Sequence, residues 1–362
     1  MGSNVIEPIV GQCEVSVSLT APIPTYSWPP EGWPDIQNIV ENDTDDTQLY
    51  KCILLLRNDM TYYQHDFPSN CVRIRTSDGA VYDSDVINHT WDASQDINGE
   101  YRYLILYLNY RVKIKDYYPI SIAYNAAYWE GIDTLSTFFY DCYSLEDIPP
   151  IPVVGATSFG LMFAYCYKLS HVPLFDTSQG TDYEYMFRNC ESLTEVPDFI
   201  TNPAANFLGM FRDCSTLRNI PLLDVSGATS LEYLVHYNHS LQTLPDLDTS
   251  SITNFSKAFR SLYTIQRLPS LDTSNGTDFT ECFRSCYILV QLDFTLPNAF
   301  VFHESVDFGS CERIEWASMV EVFNRLPSAI GKTITIDSEV DDRLTDTDRL
   351  IATNKGWTIS VG

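Results

Sequence analysis

The sequence predicts an α/β solenoid of 24-residue coils preceded by an all-β domain, and three observations carry the prediction. Cys142, Cys166, Cys190 and Cys214 are each 24 residues apart, and the same step reaches Asn238, Leu262 and Cys286, with Cys311 one residue late. Apolar columns keep the same register: Phe139, Phe163, Phe187, Phe211, Val235, Phe259 and Phe283 three residues before, and Leu145, Leu169, Leu193, Leu217, Leu241, Ile265 and Leu289 three after. Residues 1–130 share none of this spacing.

The first 130 residues hold β-rich runs, Cys13 to Leu19, Tyr50 to Leu56, Cys71 to Arg75 and Tyr103 to Leu108. Turn clusters such as Ser77-Asp-Gly and Asn98-Gly separate them, which predicts an antiparallel β-sandwich-like attachment domain over 1–130.

From 131 to 314 the unit reads F-x-x-C-x-x-L-x-x-Φ-P-x-Φ-D-T-S, with prolines at 149, 173, 197, 221, 245 and 269. One unit cannot bury its apolar side alone, whereas stacked units share a core, so the columns must persist. The stretch Leu-x-x-Φ-P-x-Φ suits a short strand that pairs in parallel with its neighbours, and the Pro, lacking an N–H, closes it. Stretches such as Met186-Phe-Arg-Asn-Cys190 read as short helical turns. The expected fold is therefore an α/β leucine-rich-repeat solenoid with a parallel β ladder and short helical turns.

Residues 315–362 leave the register and are expected to form an α/β cap. A helix runs from Ser318 to Leu326, a strand follows over 332–337, and Thr345-Asp-Thr-Asp348 is a capping box opening a helix that ends before Gly356.

Composition narrows the partners. Twenty-two Lys+Arg against 48 Asp+Glu give a net charge of −26, which argues against nucleic acid or an anionic membrane surface. No apolar run is long enough to span a bilayer, so no membrane insertion is expected. The first residues lack a basic and then apolar leader, which points to synthesis and release in a cytoplasm. The ten cysteines, most in the repeat register, are expected to be reduced.

The repeats resemble the BspA-type leucine-rich-repeat surface protein family, whose units also read Asp-Thr-Ser, then Met-Phe-x-x-Cys-x-x-Leu; Asp176 to Leu193 matches closely. The tail, Gly331 to Ile336 and Ile351 to Trp357, has the same flavour. The resemblance implies cell-surface adhesins of bacteria and some protists, and fibre or tail proteins of bacteriophages. Adhesins carry a secretion or anchor signal; its absence favours the virion, with synthesis in the host cytoplasm.

No catalytic, cofactor or metal residues are singled out. Zinc wants closely spaced cysteine pairs, while a 24-residue step lines up one sulfur per coil, so the cysteines read as small buried hydrophobes. Asp176, Asp224, Asp248 and Asp272 read as turn residues bonding nearby amides. His236 and His239 read as two surface histidines. The outward rows Asp147, His171, Glu195, Asn219, Thr243, Arg267 and Gln291, with Leu174, Asp198, Leu222, Asp246 and Ser270, vary between constant neighbours and form the candidate binding face.

The functional expectation is a non-enzymatic structural and binding protein of a bacteriophage virion, in a fibre, tail or capsid-decorating position, oligomeric in an assembly. Its first domain would dock to other virion proteins and its repeats to a host surface protein or glycan. The alternatives are a bacterial adhesin without its leader and a glycan-cleaving virion enzyme.

Overall fold

A computed structural model describes residues 28–44, 50–58, 62–66, 71–91, 94, 96–98, 100–108 and 119–362. The run Cys13 to Leu19 lies outside the described residues.

The N-terminal part opens with helix α1 (Ile36–Glu41), started by Asp35, whose carboxylate accepts the Asn38 amide at 3.0 Å. Strands β1 (Tyr50–Arg57), β2 (Tyr62–Asp66), β3 (Cys71–Thr76), β4 (Val81–Tyr82), β5 (Val86–Thr90), β6 (Tyr101–Leu108) and β7 (Ser121–Tyr124) follow. Five of them form an antiparallel sheet in the order β4-β3-β6-β1-β7, and β2 pairs with β5 apart from it. The continuous apolar run Cys52 to Leu56 marks a strand covered on both faces. Ile53 and Leu55 pack with Ile36 and Val40 of α1, while Cys52, Leu54 and Leu56 join the core that continues through the repeats.

This arrangement corrects the expected fold class. Among the described residues the N-terminal part is a five-stranded antiparallel sheet between a helix and the repeat region, with the β2–β5 pair separate from it, and not the expected sandwich. Nor does the repeat region form the expected leucine-rich-repeat solenoid of parallel ladder and helical turns: between α2 (Ala126–Trp129) and α3 (Trp316–Arg325) there is no helix, and the only strands there are the two-residue pair β8 (Arg267–Leu268) with β9 (Gln291–Leu292) and β10 (Val306–Phe308), which pairs outside the repeats. The molecule is instead a set of small antiparallel and parallel sheets with turn-rich units between them.

Both differences have local causes. At the expected strand, neighbouring units share one amide bond, Ser170 to Glu146 O, Arg218 to Thr194 O, Gln242 to Arg218 O, and the proline column then offers no second donor. Residue 293 occupies that column as Asp, not Pro. Its amide reaches Leu268 O at 3.1 Å and completes the second rung of the β8–β9 pair.

The expected helical turns are interrupted twice per unit by residues in the left-handed region: Tyr185 (φ 51°) and Asn189 (φ 60°), Tyr233 and Tyr237, Lys257 and Ser261. A right-handed helix cannot pass through such residues, and each non-glycine there costs on the order of 1–2 kcal/mol. What offsets the cost is amide pairing, which is complete over 135–142 in the first unit. The amides of Leu135, Thr137, Phe139 and Asp141 donate to carbonyls of residues 158, 160, 162 and 164 in the next unit, at 2.8–3.0 Å. Those of Phe138, Tyr140 and Cys142 donate three residues back, and Ser136 N to Thr134 Oγ1.

Beneath this backbone the side chains stack in register. Phe139, Phe163, Phe187 and Phe211 are fully buried, with successive centroids 5.3, 5.4 and 5.5 Å apart and rings within 8° of parallel. The first unit meets the sheet: Trp129 stacks on Phe138 at 5.2 Å, Glu146 N donates to Ile120 O, and Arg57 pairs with Glu146 at 2.5 Å.

At the C-terminal end, β10 (Val306–Phe308), which opens the last unit, forms a parallel sheet with β11 (Thr333–Ile336) and β12 (Thr358–Val361). A short α4 (Ser338–Asp341) precedes α5 (Asp346–Thr353), and Thr345 and Asp348 cap α5 reciprocally. Met319, Val322 and Phe323 of α3 complete the core at this end.

Candidate functional site

The columns that dominate the sequence are committed to packing. Nine described cysteines are buried. Those at 166, 190, 214 and 286 each donate to a phenylalanine carbonyl 27 residues earlier, at 3.0–3.2 Å. Burial pushes their thiols upward at Cys166, Cys190 and Cys214, which removes thiolate chemistry. Cys282 is buried in the core, so it and Cys286 do not form an open pair.

The Asp-Thr-Ser motifs are turns that also tie units together. Asp224, Asp248 and Asp272 accept the amides of Ser226, Ser250 and Ser274 at 3.0–3.2 Å. The buried threonine of the motif reaches the next unit, Thr177 Oγ1 to Ile200 O and Thr249 Oγ1 to Asp272 O. Ser178, through hydroxyl and amide, and then the Gly155 amide hold Asp176 below the usual carboxylate range.

A further polar column does similar work and was not singled out in the sequence. Thr134, Asp182, Asn206, Ser230, Asn254 and Asp278 each accept the amide two residues on, and with Ser158 they form the parallel bridges between units.

The candidate face divides. Glu195, Asn219, Thr243, Arg267 and Gln291 are exposed, as are Leu174, Asp198, Leu222 and Asp246; His171 is half-buried. Asp147 and Ser270 are not available. Asp147 is 6% exposed because its unit abuts the N-terminal sheet, and Ser270 is 7% exposed because its hydroxyl accepts the Leu296 amide of the longer loop that follows. His236 is likewise not on the surface: it is 3% exposed between Tyr233 and Tyr237, while His239 stacks on Tyr263 at 4.2 Å.

Three face residues meet in one place. Thr243, Asp246 and Arg267 line an open cleft of about 700 Å³ with Gln242, Gln266 and Asp293, over a floor of Leu244 and Pro269. Arg267 is ion-paired with Asp293 yet 62% exposed, so its remaining donors face solvent. Asp293 is held below the usual range by the Thr295 hydroxyl and amide and then by Arg267. The cleft thus offers amides, hydroxyls, a carboxylate and a guanidinium above apolar carbon, a set for hydrogen-bonded recognition.

Residues 133–246 and 229–295 match the family model described as Mycoplasma protein of unknown function, DUF285. The repeat region is thus related to that family. The matched residues include the cleft and all of the candidate face, and leave out the N-terminal sheet and the C-terminal strands. No curated protein and no solved structure matches the chain. Among the described residues no helix is long and apolar enough to cross a membrane.

Proposed function

We propose that this protein is a non-enzymatic binding protein of a biological surface, in which the DUF285-matching repeats present the recognition face. The observation that carries this reading is the division between columns: constant positions such as Phe187, Cys190 and Leu193 are fully buried, whereas the varied positions Glu195, Asn219, Thr243, Arg267 and Gln291 are exposed. A rigid core that holds chemically varied side chains in a fixed array limits the ordering cost of binding. In the fuller form of the proposal the surface is a bacteriophage virion and the N-terminal part docks to it. The family description, which names Mycoplasma proteins, supports a bacterial cell surface as the second placement.

The test is direct binding of fluorescently labelled protein to intact candidate host cells, wild type against Thr243→Ala/Asp246→Ala/Arg267→Ala. Saturable binding weakened at least tenfold in the triple variant supports the reading; binding unaffected by the substitutions contradicts it. Mass spectrometry of purified particles and of washed cell envelopes distinguishes the two placements.

A further inference from the structure

A second surface lies on the turns, between the two left-handed residues of each unit. Positions 188, 212, 236, 260 and 284, in consecutive 24-residue steps, read Arg, Arg, His, Arg, Arg. A chain of net charge −26 with only 22 Lys+Arg has therefore placed four arginines in one column over five consecutive units, interrupted only by His236. We infer that this row, Arg188, Arg212, Arg260 and Arg284, is a binding surface for an anionic polysaccharide.

Three of the four guanidinium groups are held against tyrosine rings. Arg188 lies 5.1 Å from the Tyr185 ring and 5.2 Å from Tyr165, Arg212 lies 4.7 Å from Tyr233, and Arg260 lies 5.8 Å from Tyr237. Lys257 adds a fifth cation, 5.2 Å from Tyr233. Cation–π contact of this kind fixes a side chain; the Nε atoms of Arg188 and Arg260 are buried, so a further partner meets their terminal nitrogens.

Internal carboxylates do not neutralise the row. Arg212 pairs with Asp213 at 3.0 Å, while Arg260 (2.7 Å), Arg284 (3.6 Å) and Lys257 (3.8 Å) share the single carboxylate of Glu281. Arg284 also lies 3.6 Å from Asp307, and Arg188 has no ion pair among the described residues. Five cations face three carboxylates. The buried His236 reports the resulting field: neither ring nitrogen has a hydrogen-bond partner among the described residues, and its pKa falls to about 3, first through burial and then through Arg212, Arg260 and Lys257.

The geometry also separates polyanions. Units stack 4.9–5.8 Å apart where their phenylalanine rings overlap, so Arg188 with Arg212 and Arg260 with Arg284 are forked donors on neighbouring units, the two pairs separated by the His236 unit. An extended acidic peptide repeats on one side only every ~6.6 Å and falls out of step. Single-stranded nucleic acid needs open ring faces for its bases, and here guanidinium groups cover the tyrosines. A polysaccharide with carboxylate or sulfate groups along its length needs only the forks, which bind such oxyanions in bidentate fashion.

The probe is size-defined heparin, titrated calorimetrically into the full chain at low ionic strength, with neutral dextran and polyglutamate as comparisons. The row predicts heparin binding that weakens as salt rises, at least tenfold loss in Arg188→Gln/Arg212→Gln/Arg260→Gln/Arg284→Gln, and at least threefold loss in Arg284→Glu alone, whose side chain is half exposed and safe to change. The exposed-cation control Lys168→Gln/Arg218→Gln/Arg313→Gln and the cleft variant Thr243→Ala/Asp246→Ala/Arg267→Ala retain heparin binding, which separates this surface from the cleft. Absence of heparin binding, equal binding of polyglutamate, or undiminished binding by both Arg284→Glu and the quadruple variant overturns the inference.

Discussion

The side-chain amide of Asn238 donates to the Phe211 carbonyl at 2.8 Å, the same bond that Cys190 and Cys214 make through sulfur to Phe163 and Phe187. The cysteine column is therefore a column of donors to a buried carbonyl as well as of small apolar groups. Asn238→Ala leaves that carbonyl without this donor and should destabilise the chain by about 1–3 kcal/mol. Asn238→Cys should recover most of the loss. Thermal unfolding of both variants checks this, and equal midpoints for them would remove the donor role.

The single second rung at Asp293 gives another prediction. Asp293→Ala keeps the amide bond to Leu268 O but loses the contacts to Arg267 and Thr295, whereas Asp293→Pro loses the amide donor as well. The proline variant should be the less stable by about 1 kcal/mol, with faster amide exchange at Gln291 and Leu292. If the two variants exchange alike, the proline column is not what limits strand pairing.

Gly209 occupies a left-handed position that Tyr185, Tyr233 and Lys257 fill in other units. It differs because a Cβ there would lie 2.3 Å from the Tyr185 ring. Gly209→Ala should lower the melting temperature, and Tyr185→Leu in the same chain should restore part of it, a non-additivity read by a double-mutant cycle.

His236 makes stability depend on pH. Its folded pKa, about 3, lies below the ordinary value of 6.5, so the unfolded chain takes up a proton first as pH falls. Its contribution is full above about pH 6.5 and is lost progressively as pH falls toward 3. Burial is the largest cause of the shift, followed by the facing Arg212, Arg260 and Lys257 and then the neighbouring His239. Melting temperature should decline less steeply between pH 6.5 and 4 in His236→Gln than in wild type; parallel declines would assign the acid sensitivity to other groups.

What could be read from the sequence follows from which chemistry burial holds constant. Phe187, Cys190 and Leu193 repeat as types because a stacked core admits little else, and Thr345 to Asp348 announce a helix start because the capping contacts are local. The column at Asp182, Asn206 and Ser230 escapes notice because any short side chain with an acceptor oxygen serves, so identity drifts while the bond persists. Left-handed backbone at Tyr185, Lys257 and Glu281 carries no glycine signal, since inter-unit amide bonds, not propensity, impose it. The expected helical turns failed for that reason. On the candidate face, Asp147 and Ser270 were hidden by chain from outside their own units, which a repeat pattern cannot show. The arginine row disappears inside a strongly acidic total.

The central claim is that constant columns supply rigidity while the residues between them supply recognition. Measuring melting temperature and binding to intact host cells side by side tests it most directly. Asn219→Ala, Thr243→Ala and Arg267→Ala should weaken binding with melting temperature within a degree or two, whereas Phe211→Ala should cost about 3–5 kcal/mol of stability. If exposed substitutions leave binding intact while melting temperature falls, or if no exposed position affects binding at all, the claim is contradicted.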